Sequence, residues 1–373
     1  MTQQLAYPTA MLLLTALLLI AVTGNTAAQQ KSIISYKNVE IKRHPLPFNH
    51  KKSDFEARYL SASDYVDSLQ ILKSLLTKLM LDTTGPIDLK RKKIYDLNGI
   101  IGELKERAYY FKSLTLCGRV DNSVDVETYV MKNGIPVSFM TEKSRPVGLI
   151  RWNTDLQKYF QGANDNPGEV NGRPWGSGCL VGEDTFITAG HCFDPLVEGR
   201  KTPVKNGIIL KGEEFASYMN VIFNYQKAGM GESIRNDSMS FPIIKLLEYR
   251  ENGLDYAIIK LGKSRTGQTA GKVFGSLKMV AKNYENNNDT LMIIQHPDGE
   301  PKRVDCGPLF FSESDYLFYN NIDTKSISSG SPIINYSTGL LEGIHVEGDC
   351  SESGGTNQGV KLQSILKISK VIK

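Results

Sequence analysis

The sequence predicts an all-β fold, a β domain over about the last 225 residues, behind a smaller, mainly helical N-terminal region. Two observations carry this. Over 62–80 and 91–111 the apolar residues recur every three or four positions. From about residue 113 they fall into short runs separated by turns rich in Gly, Asn and Asp. A composition of 40% hydrophobic and 23% charged residues suits a globular chain with room for two domains.

Residues 1–28 contain no Lys, Arg, Asp or Glu. Their apolar run, 11–22, is shorter than the ~20 residues that span a bilayer. Thr26-Ala27-Ala28 offers small residues for a cut, so 1–28 reads as a secretory signal peptide. No later stretch is long enough for a membrane span. The expected location is secreted, periplasmic or otherwise extracellular.

Residues 29–60 are polar and basic, with Pro45 and Pro47, and read as an arm or linker. Tyr65, Leu69, Leu72, Leu76 and Leu79 form one stripe of a helix over 62–80, which Thr83, Thr84, Gly85 and Pro86 end. A second helical pattern covers 91–111. Strands are expected at 126–130, 135–139, 147–152, 178–181, 185–188, 207–210, 257–261, 290–294, 316–320, 331–335 and 340–346. Helical signal returns with Leu362, Ile365, Leu366 and Ile368. The expected division is 1–28 signal, 29–140 N-terminal region, and 141–373 β domain. Many short strands with turn punctuation argue a barrel or a sandwich.

Lys plus Arg number 44 against 40 Asp plus Glu, a net charge of +4. Short basic runs such as Lys90-Arg91-Lys92-Lys93 suit an exposed helix face, and no nucleic-acid partner is expected. The five cysteines, at 117, 179, 192, 306 and 350, leave one free or paired with another molecule. No C-x-x-C occurs, and no metal or cofactor is expected.

Three stretches could carry chemistry. In Thr188-Ala189-Gly190-His191-Cys192, small neighbours leave the imidazole approachable. Cys179 and Cys192 flank two short strands joined by Gly182-Glu183-Asp184, and a hairpin there would bring them together as a disulfide. Asp255 opens the apolar run 256–261, where a partly buried carboxylate needs a partner such as a His. Ser329 precedes Gly330 in a tight turn ahead of a strand, where neighbouring N–H groups can converge on one point. Alone, His191 also reads as a surface His beside a structural disulfide, and Asp255 and Ser329 as ordinary turn residues. Together they supply a base, a carboxylate and a nucleophile in the order His, Asp, Ser.

On these residues the chain resembles the secreted serine proteases of the trypsin/chymotrypsin-like fold. It is most similar to the bacterial-type branch that includes glutamyl and lysyl endopeptidases. The resemblance rests on Thr188-Ala189-Gly190-His191-Cys192, Leu254-Asp255-Tyr256-Ala257 and Ser329-Gly330-Ser331-Pro332, with Gly343-Ile344-His345 and Gly359-Val360 as substrate-bordering strands. It covers about residues 145–370 and leaves 29–140 outside.

The resemblance implies two six-stranded antiparallel β-barrels. It implies Ser329 as nucleophile, His191 as general base and Asp255 as its orienting carboxylate. The N–H groups of Ile327 and Ser329 would form the oxyanion hole. His345 resembles a reader of a Glu side chain at P1, the substrate residue before the cut bond, whereas Asp323 resembles a pocket acid selecting Lys or Arg. Both substrate readings stay open here, as does a preference for neither kind of charge. Expected partners are protein or peptide substrates, and the expected state is a monomer.

Two positions depart from the family. Ile327 stands where the family usually has Gly, so the alternative expectation is a protease-like binding protein with weak or no turnover. Ser328 stands where the digestive branch has the Asp that pairs with a new N-terminus, which argues against that activation switch. Residues 29–140 would then be a propeptide, as in a zymogen, or an accessory module. For the remaining cysteines, Cys306–Cys350 and Cys117–Cys350 are rival pairings.

Overall fold

The computed structural model describes residues 116–118, 120–195, 202–250, 253–279, 289–350 and 355–373. The signal reading over 1–28 and the helices expected over 62–80 and 91–111 lie outside the described residues.

β1 (Val124–Asp125) comes first and is followed by a helix over Val137–Ser144. Then come β2 (Val147–Trp152), β3 (Pro174–Leu180) and β4 (Thr185–Thr188). The short hairpin of β5 (Val204–Lys205) and β6 (Ile208–Ile209) precedes β7 (Met219–Phe223), β8 (Met239–Tyr249) and β9 (Ala257–Leu261). The C-terminal half holds β10 (Thr290–Gln295), β11 (Arg303–Pro308), β12 (Phe311–Glu313), β13 (Tyr316–Tyr319), β14 (Pro332–Asn335), β15 (Leu341–Glu347) and β16 (Asn357–Lys361). A helix over Leu362–Ile368 follows.

β2, β3, β4, β9, β8 and β7 form a closed antiparallel barrel, with β7 returning to pair with β2. Closure leaves no unpaired edge. The barrel is filled by alternate inward residues such as Val221, Phe223 and Phe241, and Phe274 stacks on Phe223 at 4.8 Å between ring centroids. The second β unit is an antiparallel sheet in the order β1-β11-β10-β14-β15-β16-β13-β12. The chymotrypsin-like expectation of two antiparallel β units holds. The second unit differs from the expected six-stranded barrel: it has eight strands, and its end strands β1 and β12 are not paired with each other. One of the two added strands, β1, is supplied by the segment ahead of residue 141, where Val124 pairs with Val304.

Two expected strands are absent. Residues Val126–Thr128 form a 3-10 turn, and Val137–Ser144 is a helix whose buried residues, Met140 and Ser144, lie four apart on one face. The Pro136 ring sets the extended residue ahead of that helix and cannot continue a strand ladder.

Candidate active site

His191 lies in a 3-10 turn, Gly190–Phe193, directly after β4. The turn sits close against the chain around Asp255. A Cβ on Gly190 would stand 2.8 Å from Arg250 Cγ and 2.9 Å from Asp255 Oδ1, so glycine alone allows the approach. Asp255, just ahead of β9, then holds His191 twice. Its Oδ1 accepts the His191 backbone N–H at 2.7 Å, and its Oδ2 lies 2.8 Å from His191 Nδ1. A carboxylate only accepts, so the ring proton stays on Nδ1 and Nε2 is left as an acceptor.

Burial works against the Asp255 charge, but the adjacent His191 and Arg250 outweigh it and hold the carboxyl below its ordinary range. Arg250 was not foreseen in the sequence. Its guanidinium lies 3.6 Å from Asp255 Oδ1 and forks onto Asp194, with Nε at 3.0 Å and a terminal nitrogen at 2.7 Å. The Tyr249 hydroxyl also bonds Asp194. Burial pushes the Asp194 carboxyl up against the pull of Arg250. The only sequence signal was position: Tyr249-Arg250 shortly before Asp255, and Asp194 three residues after His191.

Ser329 is half-buried on the loop before β14. That loop lies on the first barrel. Gly330, at φ +87°, packs so closely on Thr188 and Ser177 that any side chain would collide with both. The Ser177 N–H donates to Ser329 O at 2.8 Å. Ser329 is thereby set on the β3–β4 hairpin that leads into His191. Ile327 is buried and has φ +70°. Its conformation is the one the expected Gly would adopt, now imposed on a β-branched residue.

His345, on β15, is 2% exposed. Its N–H donates to Ser331 O at 2.9 Å, and its carbonyl accepts the Gly330 N–H at 2.6 Å, so it backs the Ser329 loop. The Tyr319 hydroxyl lies 2.5 Å from its Nδ1. Burial pushes the His345 pKa down to about 3, with His191 adding to the effect and the Gln358 carbonyl opposing it.

Asp323 faces elsewhere. Its Oδ1 accepts the Cys117 N–H at 2.6 Å, and its Oδ2 accepts the Asn122 N–H at 2.7 Å and side-chain amide at 3.0 Å. Its neighbour Lys325 bonds Asp121 at 2.7 Å. The segment 117–122 therefore straps the start of the Ser329 loop from outside.

The expected disulfide Cys179–Cys192 is not formed; both side chains are buried thiols. Cys179 pairs in register with Ile187, whereas Cys192 lies beyond the end of β4. Its Sγ is set against Gly176, three residues from Cys179 along β3 and on the opposite face. The bond present is Cys117–Cys350, with Cα atoms 4.8 Å apart, and Cys306 is free. It closes the strap onto the segment after β15. No group of metal-binding side chains and no helix long and apolar enough to cross a membrane occurs among the described residues.

Residues 176–344 match the family model of the trypsin-like peptidase domain. No curated protein matches the chain. Among solved structures, the chain is similar to a Glu endopeptidase in complex with MPD, at 17% identity and a TM-score of 0.41, covering 68% of this chain and 96% of that one. It is also similar to a thermostable serine protease, AL20, from an extremophilic microorganism, at 14% identity and a TM-score of 0.39, covering 61% of this chain and 95% of that one.

Proposed function

We propose that this chain, which carries a trypsin-like peptidase domain over residues 176–344, is a serine endopeptidase working through His191, Asp255 and Ser329. The observation that carries the reading is the double hold of Asp255 on His191, through backbone N–H and ring Nδ1 at once. That hold fixes the tautomer a general base needs. Ser329 Oγ attacks the scissile carbonyl while its proton passes to His191 Nε2. The N–H groups of Ile327 and Ser329 receive the oxyanion. The imidazolium, stabilised by Asp255, gives the proton to the leaving amine. Water then repeats the sequence to free the acyl group and restore Ser329.

An acidic P1 residue fits the pocket chemistry better than a basic one. His345 stays neutral over the working pH range and can offer an N–H to a carboxylate. Asp323 spends its carboxylate on the strap. The alternative, a binding protein without turnover, rests on the Cβ of Ile327 turning the backbone away from the hole; its φ of +70° speaks against that.

The reading extends to export through 1–28, to peptide or protein substrates, and to a monomer in which 29–140 includes a propeptide. Because Cys117 is bonded to Cys350, any maturation cut that sheds this region falls ahead of Cys117. The test is digestion of a denatured peptide mixture, with every cut read by mass spectrometry and Ser329→Ala as control. Cuts after Glu that vanish in the variant support the proposal. An intact, folded mature protein that makes none sinks it.

A further inference from the structure

Among the described residues, Ile327 is the only β-branched residue with φ in the left-handed region. That conformation is disfavoured for any side chain with a Cβ, which crowds the following carbonyl oxygen. It persists only where the surroundings over-determine it. The surroundings here are a set of pinned carbonyls. The Asp298 N–H donates to Ser326 O at 2.6 Å, and the Ser331 N–H to Ser328 O at 3.0 Å. The two carbonyls between and beyond them are held by one residue of the other β unit. Ser177, on β3 and fully buried, donates its hydroxyl to Ile327 O at 2.9 Å and its backbone N–H to Ser329 O at 2.8 Å. The same hydroxyl accepts the His296 N–H at 3.1 Å, and the Thr188 hydroxyl bonds Ser177 O at 2.7 Å. Ser177 therefore has no rotational slack.

A peptide unit is planar, with its N–H pointing away from its carbonyl. Pinning Ser326 O turns the Ile327 N–H to the other side, and pinning Ser328 O does the same for the Ser329 N–H. Among the described residues, neither of these two N–H groups has an acceptor. The Ser328 N–H lying between them is taken by Lys325 O at 3.1 Å.

We infer that Ser177 is a positioning residue for the oxyanion hole. By binding the carbonyls of Ile327 and Ser329, it holds Ile327 left-handed and keeps the two unspent N–H groups presented together. A glycine at 327 would take this conformation without help; the isoleucine makes the hold necessary. The inference rests on the serine-endopeptidase reading for the role of the two N–H groups, and on the geometry alone for the hold itself.

The test combines crystal structures with kinetics for wild type, Ser177→Ala, Ile327→Gly and the double variant. In Ser177→Ala we expect Ile327 to leave the left-handed region. We expect kcat to fall about 10- to 100-fold with KM within about threefold, less than the roughly 10²–10³ that outright removal of one oxyanion donor costs, because the Ile327 N–H is misaligned and not deleted. In the Ile327→Gly background the same substitution should change kcat less than about threefold, a coupling that a general packing defect would not produce. Should Ser177→Ala fail to fold, Ser177→Thr and Ser177→Val carry the comparison, because they differ by the hydroxyl at nearly constant volume. Thr should retain φ and kcat relative to Val. An Ile327 that stays left-handed without the hydroxyl overturns the inference, as does an equal kcat loss in both backgrounds. If wild type shows no turnover, the endopeptidase reading fails, while the crystallographic comparison still decides whether Ser177 holds Ile327.

Discussion

Replacing Asp323 by Asn separates two roles for a carboxylate six residues before the candidate nucleophile. The Asp323 side chain is 1% exposed and receives three N–H groups, at 2.6, 2.7 and 3.0 Å, from Cys117 and Asn122. An Asn carries one acceptor oxygen in place of two. In its better orientation it keeps the Asn122 bonds and turns an NH2 toward the Cys117 N–H. One charge-assisted bond is then lost, worth about 1.5–3 kcal/mol, and the retained bonds weaken to neutral ones. Easier burial of the uncharged amide offsets part of this. The net expectation is a destabilisation of about 2–4 kcal/mol, read from urea unfolding. Amide exchange should accelerate at 117–122, where the strap is released, before it does in β14 or β15. The P1 profile of the folded variant should not change. Stability within about 0.5 kcal/mol of wild type would refute the strap reasoning. A loss of cuts after Lys or Arg would refute it too, by making Asp323 a pocket acid.

Two further substitutions probe the site and the core. Asp255→Asn turns an amide toward His191 Nδ1 and removes the acceptor that fixes the tautomer. It should lower kcat by about 10⁴ with little change in KM, and a loss under tenfold would contradict the base-orienting role. Lys302 is fully buried with its Nζ 2.8 Å from Ser144 O. Burial pushes its pKa from 10.5 down to about 7, with Glu127 opposing and Arg235 adding. Between those two values the unfolded chain binds the extra proton, so this group makes stability rise with pH by about 1.4 kcal/mol per unit. Lys302→Met deletes that dependence. Its stability relative to wild type should be highest at and below pH 7 and decline toward pH 10, and parallel pH profiles would contradict the burial argument.

Local chemistry was the most legible part of the chain. Strands 147–152, 185–188 and 257–261 stand where apolar runs between turn residues placed them. His191 and Asp255 meet because each sits at the end of one of two paired strands, β4 and β9. What escaped was set by distant partners. Cys179 and Cys192 are close in sequence, but the register of β3 on β4 puts their thiols on opposite faces. β1 is two residues long and exists only because β11 offers an edge, so no local pattern announces it. β8 carries Pro242, Lys245 and Glu248, and its register shifts twice against β9, which blurs the alternation that marks a strand. The spacing of Asp323 resembled a pocket acid, yet its partners lie about 200 residues earlier in the chain.

The most direct test of the central claim is labelling with a phosphonate probe, which traps only an activated serine. The folded, mature protein should carry the adduct at Ser329 and nowhere else, and Ser329→Ala, equally folded, should carry none. Labelling that survives Ser329→Ala, or a folded mature protein that takes up no probe, would contradict the assignment of this chain as a serine endopeptidase.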